Sequence, residues 1–230
     1  MAELKPPTLK PLVIVGNGEI AEMACEYFDY DSDRTVAAFA IGAEYIKDAT
    51  LHDRPVVDLA SLAQTHPPDA FDAFVAIGDS QLNRLRRQHV DSAKAAGYRL
   101  ASYVSTKAFV WRNVVIGENC FILEHNVLQP FTSVGDNVTL WSGNHIGHRS
   151  VIEDDVFVAS HVVVSGFCRI GARSFVGVNA SVAHQVQVAP DNFIAMGAAV
   201  TASTEPDSIY MGVPAQRRPI SAKRFCRVRD

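Results

Sequence analysis

The sequence predicts two domains of different class, a small α/β domain with a parallel, Rossmann-like sheet followed by a parallel β-helix. Three observations carry this. Residues 11–100 alternate short apolar runs with helical patterns, the arrangement of a parallel sheet with crossover helices. From Val104 to Val200 a Val, Ile or Leu stands at every sixth position, seventeen times in succession. With those three residues at roughly a quarter of a chain, chance agreement is on the order of 10⁻¹⁰. The residue four places after each of them is mostly small, as at Asn126, Thr132, Asn144, Ser150, Ser174 and Ala180. The change of period divides the chain into residues 1–103, residues 104–216 and a basic C-terminal tail, 217–230.

In the first domain, residues 12–16 form an apolar run ending in glycine and predict a strand. A helix over 19–28 follows, then strands over 35–41 and 55–57. Residues 71–77 predict another strand, closed by Gly78-Asp79, and Asp79 or Ser80 is placed to cap a helix over 81–96. A last strand covers 99–104. Between the first strand and helix, Gly16-Asn17-Gly18-Glu19-Ile20-Ala21 fits G-x-G-x-x-A. Such a turn sets phosphate oxygens against backbone N–H groups and the helix dipole. Dinucleotide binding also wants an acidic residue ending the second strand. That strand runs Ala38-Phe39-Ala40-Ile41 instead, with Glu44 beyond a glycine.

In the second domain, a period of six is neither helical nor coiled-coil. Three hexads make one triangular coil of 18 residues, so each aliphatic side chain stacks on its counterpart about 4.8 Å away. The small residue fits the corner. Glycine often follows the aliphatic, at Gly117, Gly135, Gly147, Gly171 and Gly177, and is expected there for its turn conformation. Such a solenoid is quasi-one-dimensional and needs capped ends.

A net charge of −4 with both signs interspersed gives no basic footprint for nucleic acid. The N-terminal MAELKPPTLKP lacks the apolar core of a secretory leader. No apolar run approaches the roughly 18 residues that would cross a membrane. Cys25, Cys120, Cys168 and Cys226 have no C-x-x-C spacing and read as free thiols of a cytoplasmic protein.

The hexad pattern over 104–216 resembles that of the hexapeptide-repeat acyltransferases, whose coil is left-handed, and Met211-Gly212-Val213-Pro214-Ala215 looks like their terminal G-x-P-A segment. The run GNGEIA before a helix, the later FVAIGDSQLNR, and the block 146–182 are similar to the sugar N-acetyltransferases of the bacillosamine and perosamine type and to sialic-acid O-acetyltransferases. The resemblance implies a homotrimer using acetyl-CoA, with no metal. It implies transfer to the amine of a nucleotide-linked 4-amino-4,6-dideoxysugar in surface glycan synthesis, such as lipopolysaccharide O-antigen. O-acetylation of a sialic-acid-type sugar is the alternative.

Residue by residue, the resemblance implies that His148 is the base and that the Gly166 N–H stabilises the oxyanion. A histidine suits proton removal from an attacking amine near neutral pH. Where the bacillosamine branch follows its base with a glutamate, this chain has Arg149, so Glu124, Asp154 or Asp155 is the candidate supporting carboxylate. Gly166, Val178, Met196, Ala198 and Gly212 match CoA-contacting positions. Gly16, Asn17, Gly18, Glu19, Ala76, Gly78, Asn144 and His145 are the candidates for binding the nucleotide-sugar. Phe157 occupies the family's second histidine position. Arg217, Arg218, Lys223, Arg224, Arg227 and Arg229 either meet CoA phosphates or form a solvated tail.

A zinc hydratase is the competing class. His125 and His161, like His148 and His184, lie 36 residues apart, two coils and roughly 10 Å. The third ligand of such a site would fall at Gly166 or Ala189 and is missing.

Overall fold

The computed structural model describes residues 9–229, which fall into two compact units. Residues 1–8, read above for a leader, and Asp230 lie outside the described residues.

The first unit holds the chain up to residue 77 together with 91–101. Its strands are β1 (Leu12–Val15), β2 (Val36–Ile41), β3 (Thr50–Leu51), β4 (Arg54–Asp58) and β5 (Asp72–Val75). They are ordered β3-β4-β2-β1-β5, parallel throughout except for the β3–β4 hairpin. All four residues of β1 are buried, as a central parallel strand covered on both faces requires. Helix α1 (Glu19–Tyr30) turns Ala21, Ala24, Cys25 and Phe28 into the core, where Phe28 meets Phe74 edge-on with centroids 5.1 Å apart. Leu100 bridges Ala73, but Tyr103 pairs with Phe121 in the second unit. The expected strand over 99–104 is therefore two separate pairings.

The second unit is a left-handed parallel β-helix. Its first sheet stacks Tyr103–Val104, Phe121–Ile122, Thr139–Leu140, Phe157–Val158, Phe175–Val176 and Phe193–Ile194, and ends in the hairpin Ile209–Met211 with Gln216–Arg217. The second sheet runs from Phe109–Val110 through His145–Ile146 to Ala199–Val200, and the third from Val115–Ile116 to Gln187–Val188. Each strand pairs in parallel with the strand 18 residues away, for example Val127 with both Phe109 and His145. The hexad aliphatics from Ile122 to Val200 are at most 3% exposed, so the repeat in the sequence is the core column of the solenoid.

The glycine expectation needs correction. The residue after each aliphatic has no left-handed backbone. That conformation falls two residues later, at Asn119, His125, Phe131, Asn137 and every sixth residue on to Gly197, nearly all non-glycine. Gly147 and Gly177 are required by closeness instead: a Cβ at Gly147 would lie 2.5 Å from the Ser165 carbonyl carbon, and one at Gly177 2.6 Å from the Met196 nitrogen. Polar corner residues tie the coils, as when Asn126 donates to Trp141 O and Ser150 to Ser165 O.

Residues 78–90 belong to this second unit although they precede the repeat. The expected boundary at 103 thus gives way to an excursion, and its cause is polar. Arg86 is fully buried and donates to Asn137 Oδ1, Asn137 O and Thr139 Oγ1 at 2.8–2.9 Å. Arg87 pairs with Asp155 and Arg84 with Asp191, both at 2.7 Å. Burial lowers the Arg86 pKa to about 10, so it stays charged at neutral pH. The helix expected over 81–96 begins only at Arg84, because Gln81, Leu82 and Asn83 adopt φ of +57°, +52° and +63°. That left-handed turn lets Asn83 donate to Asp155 O and buries Leu82 against Ile209 and Ala222.

The C-terminal residues are not a free tail. The last helix (Ala222–Phe225) sets Phe225 edge-on to Phe193, the end of an outward ladder in which Phe157, Phe175 and Phe193 stack at 5.4 and 4.9 Å.

Candidate active site

Each coil has a first corner between the first and second sheets and a second corner between the second and third. His148 stands on the second corner. Ile146, wholly buried, fixes the phase, and two residues on the side chain projects outward and exposed. The next coil brings Gly166 against the imidazole. A Cβ on Gly166 would lie 2.6 Å from His148 Cε1 and 2.8 Å from Nε2, so only glycine admits the ring. The flanking amides are used, Ser165 N by Val182 O and Phe167 N by His148 O. The Gly166 N–H donates to no acceptor among the described residues. Phe167 meets the His148 ring edge-on at 5.2 Å, and His184 lies 6.3 Å away, ring to ring. The arrangement is an imidazole beside an uncommitted amide donor, flanked by an aromatic wall.

The two histidine rings, 6.3 Å apart, approach more closely than the roughly 10 Å of two coil steps. Even so, among the described residues no group of three His, Cys, Asp or Glu is placed to hold a metal ion.

The carboxylates expected to support His148 are engaged elsewhere. Glu124 accepts from Ser142 at 2.6 Å, Asp154 from the Asp136 amide, and Asp155 from Arg87 and Asn137. The residue that does reach His148 is Gln129, which the sequence analysis missed. Its Oε1 accepts from the His148 backbone N–H at 2.9 Å and lies 3.3 Å from Nδ1. The signal was one coil plus one residue earlier, a spacing of 19 rather than 18.

The other expected ligand residues divide among separate places. Val178 and Met196 are exposed on the first corner, Met196 by 75%. Ala198 there is fully buried, so its side chain contacts no ligand, contrary to expectation. Gly212 is exposed in the terminal hairpin with φ +96°, its carbonyl accepting from Ala199 N. His145 points outward, half-buried, from the second sheet. Asn144 corrects another expectation: it is 1% exposed, donates to Trp141 O and accepts from Val162 N, so it ties coils rather than facing substrate. Phe157 belongs to the aromatic ladder of the first sheet, away from the second corner. Gly78 precedes the left-handed turn, with open space where a Cβ would be. Of the C-terminal cations, Arg217 donates to Ser208 Oγ and Lys223 lies 4.0 Å from Asp191. An open groove of about 310 Å³ along the third sheet is lined by Asp154 but by none of the candidate base, CoA or sugar residues.

In the first unit, Gly16 (φ +125°) and Ala76 meet at the carboxyl ends of β1 and β5. A Cβ on Gly16 would lie 2.6 Å from Ala76 O. The strand order reverses there, the place where open α/β sheets take ligands. Asn17, Gly18 and Glu19 are exposed, and Gly18 caps α1 without a side-chain bond, leaving first-turn N–H groups open. The four cysteines are free thiols, and burial raises Cys25, Cys120 and Cys226 to about 11. No helix among the described residues is long and apolar enough to cross a membrane.

The bacterial transferase hexapeptide family (six repeats) matches residues 113–148 and 131–166, within the second unit. The chain is similar to a perosamine N-acetyltransferase variant from Caulobacter crescentus, solved with CoA and GDP-perosamine. Identity is 25%, the TM-score is 0.83, and the match covers 90% of this chain and 96% of that one. The acetyltransferase domain of PglB from Neisseria gonorrhoeae, solved with acetyl coenzyme A, shares the fold at 23% identity and a TM-score of 0.80, covering 91% of this chain and all of that one. No curated protein sequence matches the chain.

Proposed function

We propose that the protein is an acetyl-CoA-dependent N-acetyltransferase acting on the amine of a nucleotide-linked 4-amino-4,6-dideoxysugar. The observation that carries this is the His148 ring against Gly166, whose N–H donates to no acceptor among the described residues. The amine attacks the thioester carbon and its proton passes to His148. The Gly166 N–H stabilises the oxyanion, a contribution of typically about 3 kcal/mol for such a donor. Collapse expels the CoA thiolate, which takes up the proton from His148 and leaves as the thiol.

The similarity to a perosamine N-acetyltransferase solved with CoA and GDP-perosamine supports a nucleotide amino sugar as acceptor. Gly16, Asn17, Gly18 and Ala76 are the first unit's share in holding it. Position within the coil supports a site shared between copies of the chain, and our reading is a homotrimer. His148 and Gly166 occupy the second corner, Val178 and Met196 the first, on opposite edges of the second sheet. A CoA touching both sets lies between two copies of the chain. We place the reaction in the cytoplasm, in surface glycan synthesis.

The test is thiol release from acetyl-CoA with a panel of UDP-, dTDP- and GDP-4-amino-4,6-dideoxysugars and their 4-hydroxy counterparts, comparing wild type with His148→Ala. Release with an amino sugar, reduced about 10²–10⁴-fold in the variant, is expected. Release only with hydroxy sugars would make the enzyme an O-acetyltransferase. Undiminished release in the variant would remove His148 as the base.

A further inference from the structure

Gln129 is a polar side chain of the second corner that this chemistry has not used. Half-buried one coil before His148, it directs a single atom at two nitrogens, 2.9 Å from the His148 backbone N and 3.3 Å from Nδ1. The first contact identifies the atom. A backbone N–H only donates, so the group facing it is the amide oxygen and not the amide nitrogen. An amide oxygen only accepts. The ring nitrogen beside it therefore carries the proton, and the lone pair of the neutral imidazole falls on Nε2. Nε2 lies on the Gly166 side, 2.8 Å from where a Cβ of that residue would stand. The Cε1–Nε2 edge of the ring, and with it the lone pair, therefore lies next to Gly166.

We propose that Gln129 is a positioning residue that holds His148 in the Nδ1–H tautomer, so that Nε2 is the atom that receives the amine's proton. The proposal rests on the acyl-transfer reading above and deepens it. It also accounts for the engaged carboxylates: a neutral amide fixes the tautomer without a charge that would favour the imidazolium, a form unable to accept a proton. The other titratable or charged groups around the ring are His184, across Gly166, and Arg149, whose guanidinium stacks 4.4 Å over Phe131. Phe167 closes the remaining side.

The experiment is nitrogen NMR of the full chain carrying ¹⁵N-histidine, at alkaline pH where imidazole is neutral, with His148→Asn to assign the signal. The expected spectrum shows Nδ1 protonated and Nε2 bare. Gln129→Met keeps the side-chain length and removes the acceptor. It is expected to shift His148 toward the Nε2–H form and to lower kcat about tenfold to a hundredfold, with little change in KM for either substrate. Gln129→Glu is expected to keep the tautomer and move the acid limb of the kcat/KM profile to higher pH, which a purely packing role would not do. Wild-type His148 in the Nε2–H form, or a Gln129→Met spectrum identical to wild type, overturns the proposal whatever the activity. If the wild type transfers no acyl group to any acceptor, the reaction falls, and the tautomer spectra still decide whether Gln129 sets the ring.

Discussion

Replacing Gly166 by alanine separates catalysis from folding. The Gly166 backbone is not left-handed, so alanine brings no conformational strain. The three nearest atoms to the added Cβ all belong to the His148 ring, at 2.6, 2.8 and 3.0 Å. Ordinary carbon contacts lie near 3.5–4.0 Å, so the ring must retreat by about 1 Å or swing away from the corner. A misplacement of about 1 Å in a reacting group costs on the order of 10²-fold in rate. The ring is exposed and free to move, so the fold is spared. Gly177→Ala is the control. Its Cβ would lie 2.6 Å from the backbone nitrogen of Met196, which cannot move aside, and overpacking of this kind costs about 1–3 kcal/mol. Thiol-release kinetics and thermal melting on both variants give the comparison. The expected result is a Gly166→Ala protein that melts like wild type and has lost most of its kcat, and a Gly177→Ala protein with the reverse profile. A Gly166→Ala enzyme with wild-type kcat would refute the placing of His148 against Gly166 in the working enzyme.

Three further outcomes follow from the second unit. Arg86→Ala removes a buried cation and strands the Asn137 and Thr139 groups it satisfies. Urea unfolding is expected to register a loss of about 3–5 kcal/mol, and a loss below 1 kcal/mol would mean that residues 78–90 are not clamped as described. Burial opposes ionisation of Asp191, but hydrogen bonds from Arg173 and Arg84 outweigh it and lower its pKa below 3.8. A carboxylate depressed in the folded state contributes stability above its unfolded pKa and loses it as pH falls through the folded value. Asp191→Asn is therefore expected to flatten the fall in melting temperature below about pH 4, and parallel wild-type and variant curves would contradict this. Dialysis against a chelator is expected to leave thiol release unchanged, and a loss restored by zinc would overturn the metal-free reading.

The solenoid was legible because its core is written in a local code. Each hexad aliphatic is required by the coil on either side, so one period recurs from Val104 to Val200 with no dependence on distant sequence. The parallel sheet of the first unit was legible for a similar reason, since β1 and β5 must be apolar on both faces. The clamp of residues 78–90 was not. Arg84 and Asp191 are 107 residues apart, and nothing near Arg84 distinguishes a buried pair from a solvated helix charge. Asn144 misled for the opposite reason: it sits beside His145 in the chain, but alternate residues of a coil face inward and outward, and its own place is the inner corner. Gln129 escaped because the stacking rule places Pro130, not Gln129, in line with His148. The side chain reaches across by one residue, and side-chain reach is not part of a backbone period.

This division between what the repeat dictates and what it leaves free bears on how such a site comes to exist. The inward column of Leu128, Ile146, Val164 and Val182 holds the second corner in place, while the outward column of Pro130, His148, Gly166 and His184 contributes little to the core. Residues in the outward column can change without disturbing the coil, provided each fits its vertical neighbours. Gly166 is the case where fit and chemistry coincide. The missing Cβ makes room for the His148 ring, and the amide of the same residue donates to no acceptor among the described residues. An imidazole with its lone pair on that side, held by an amide oxygen from the coil below, needs only an acyl group and an amine placed in the same gap to have every group that proton removal and oxyanion stabilisation require.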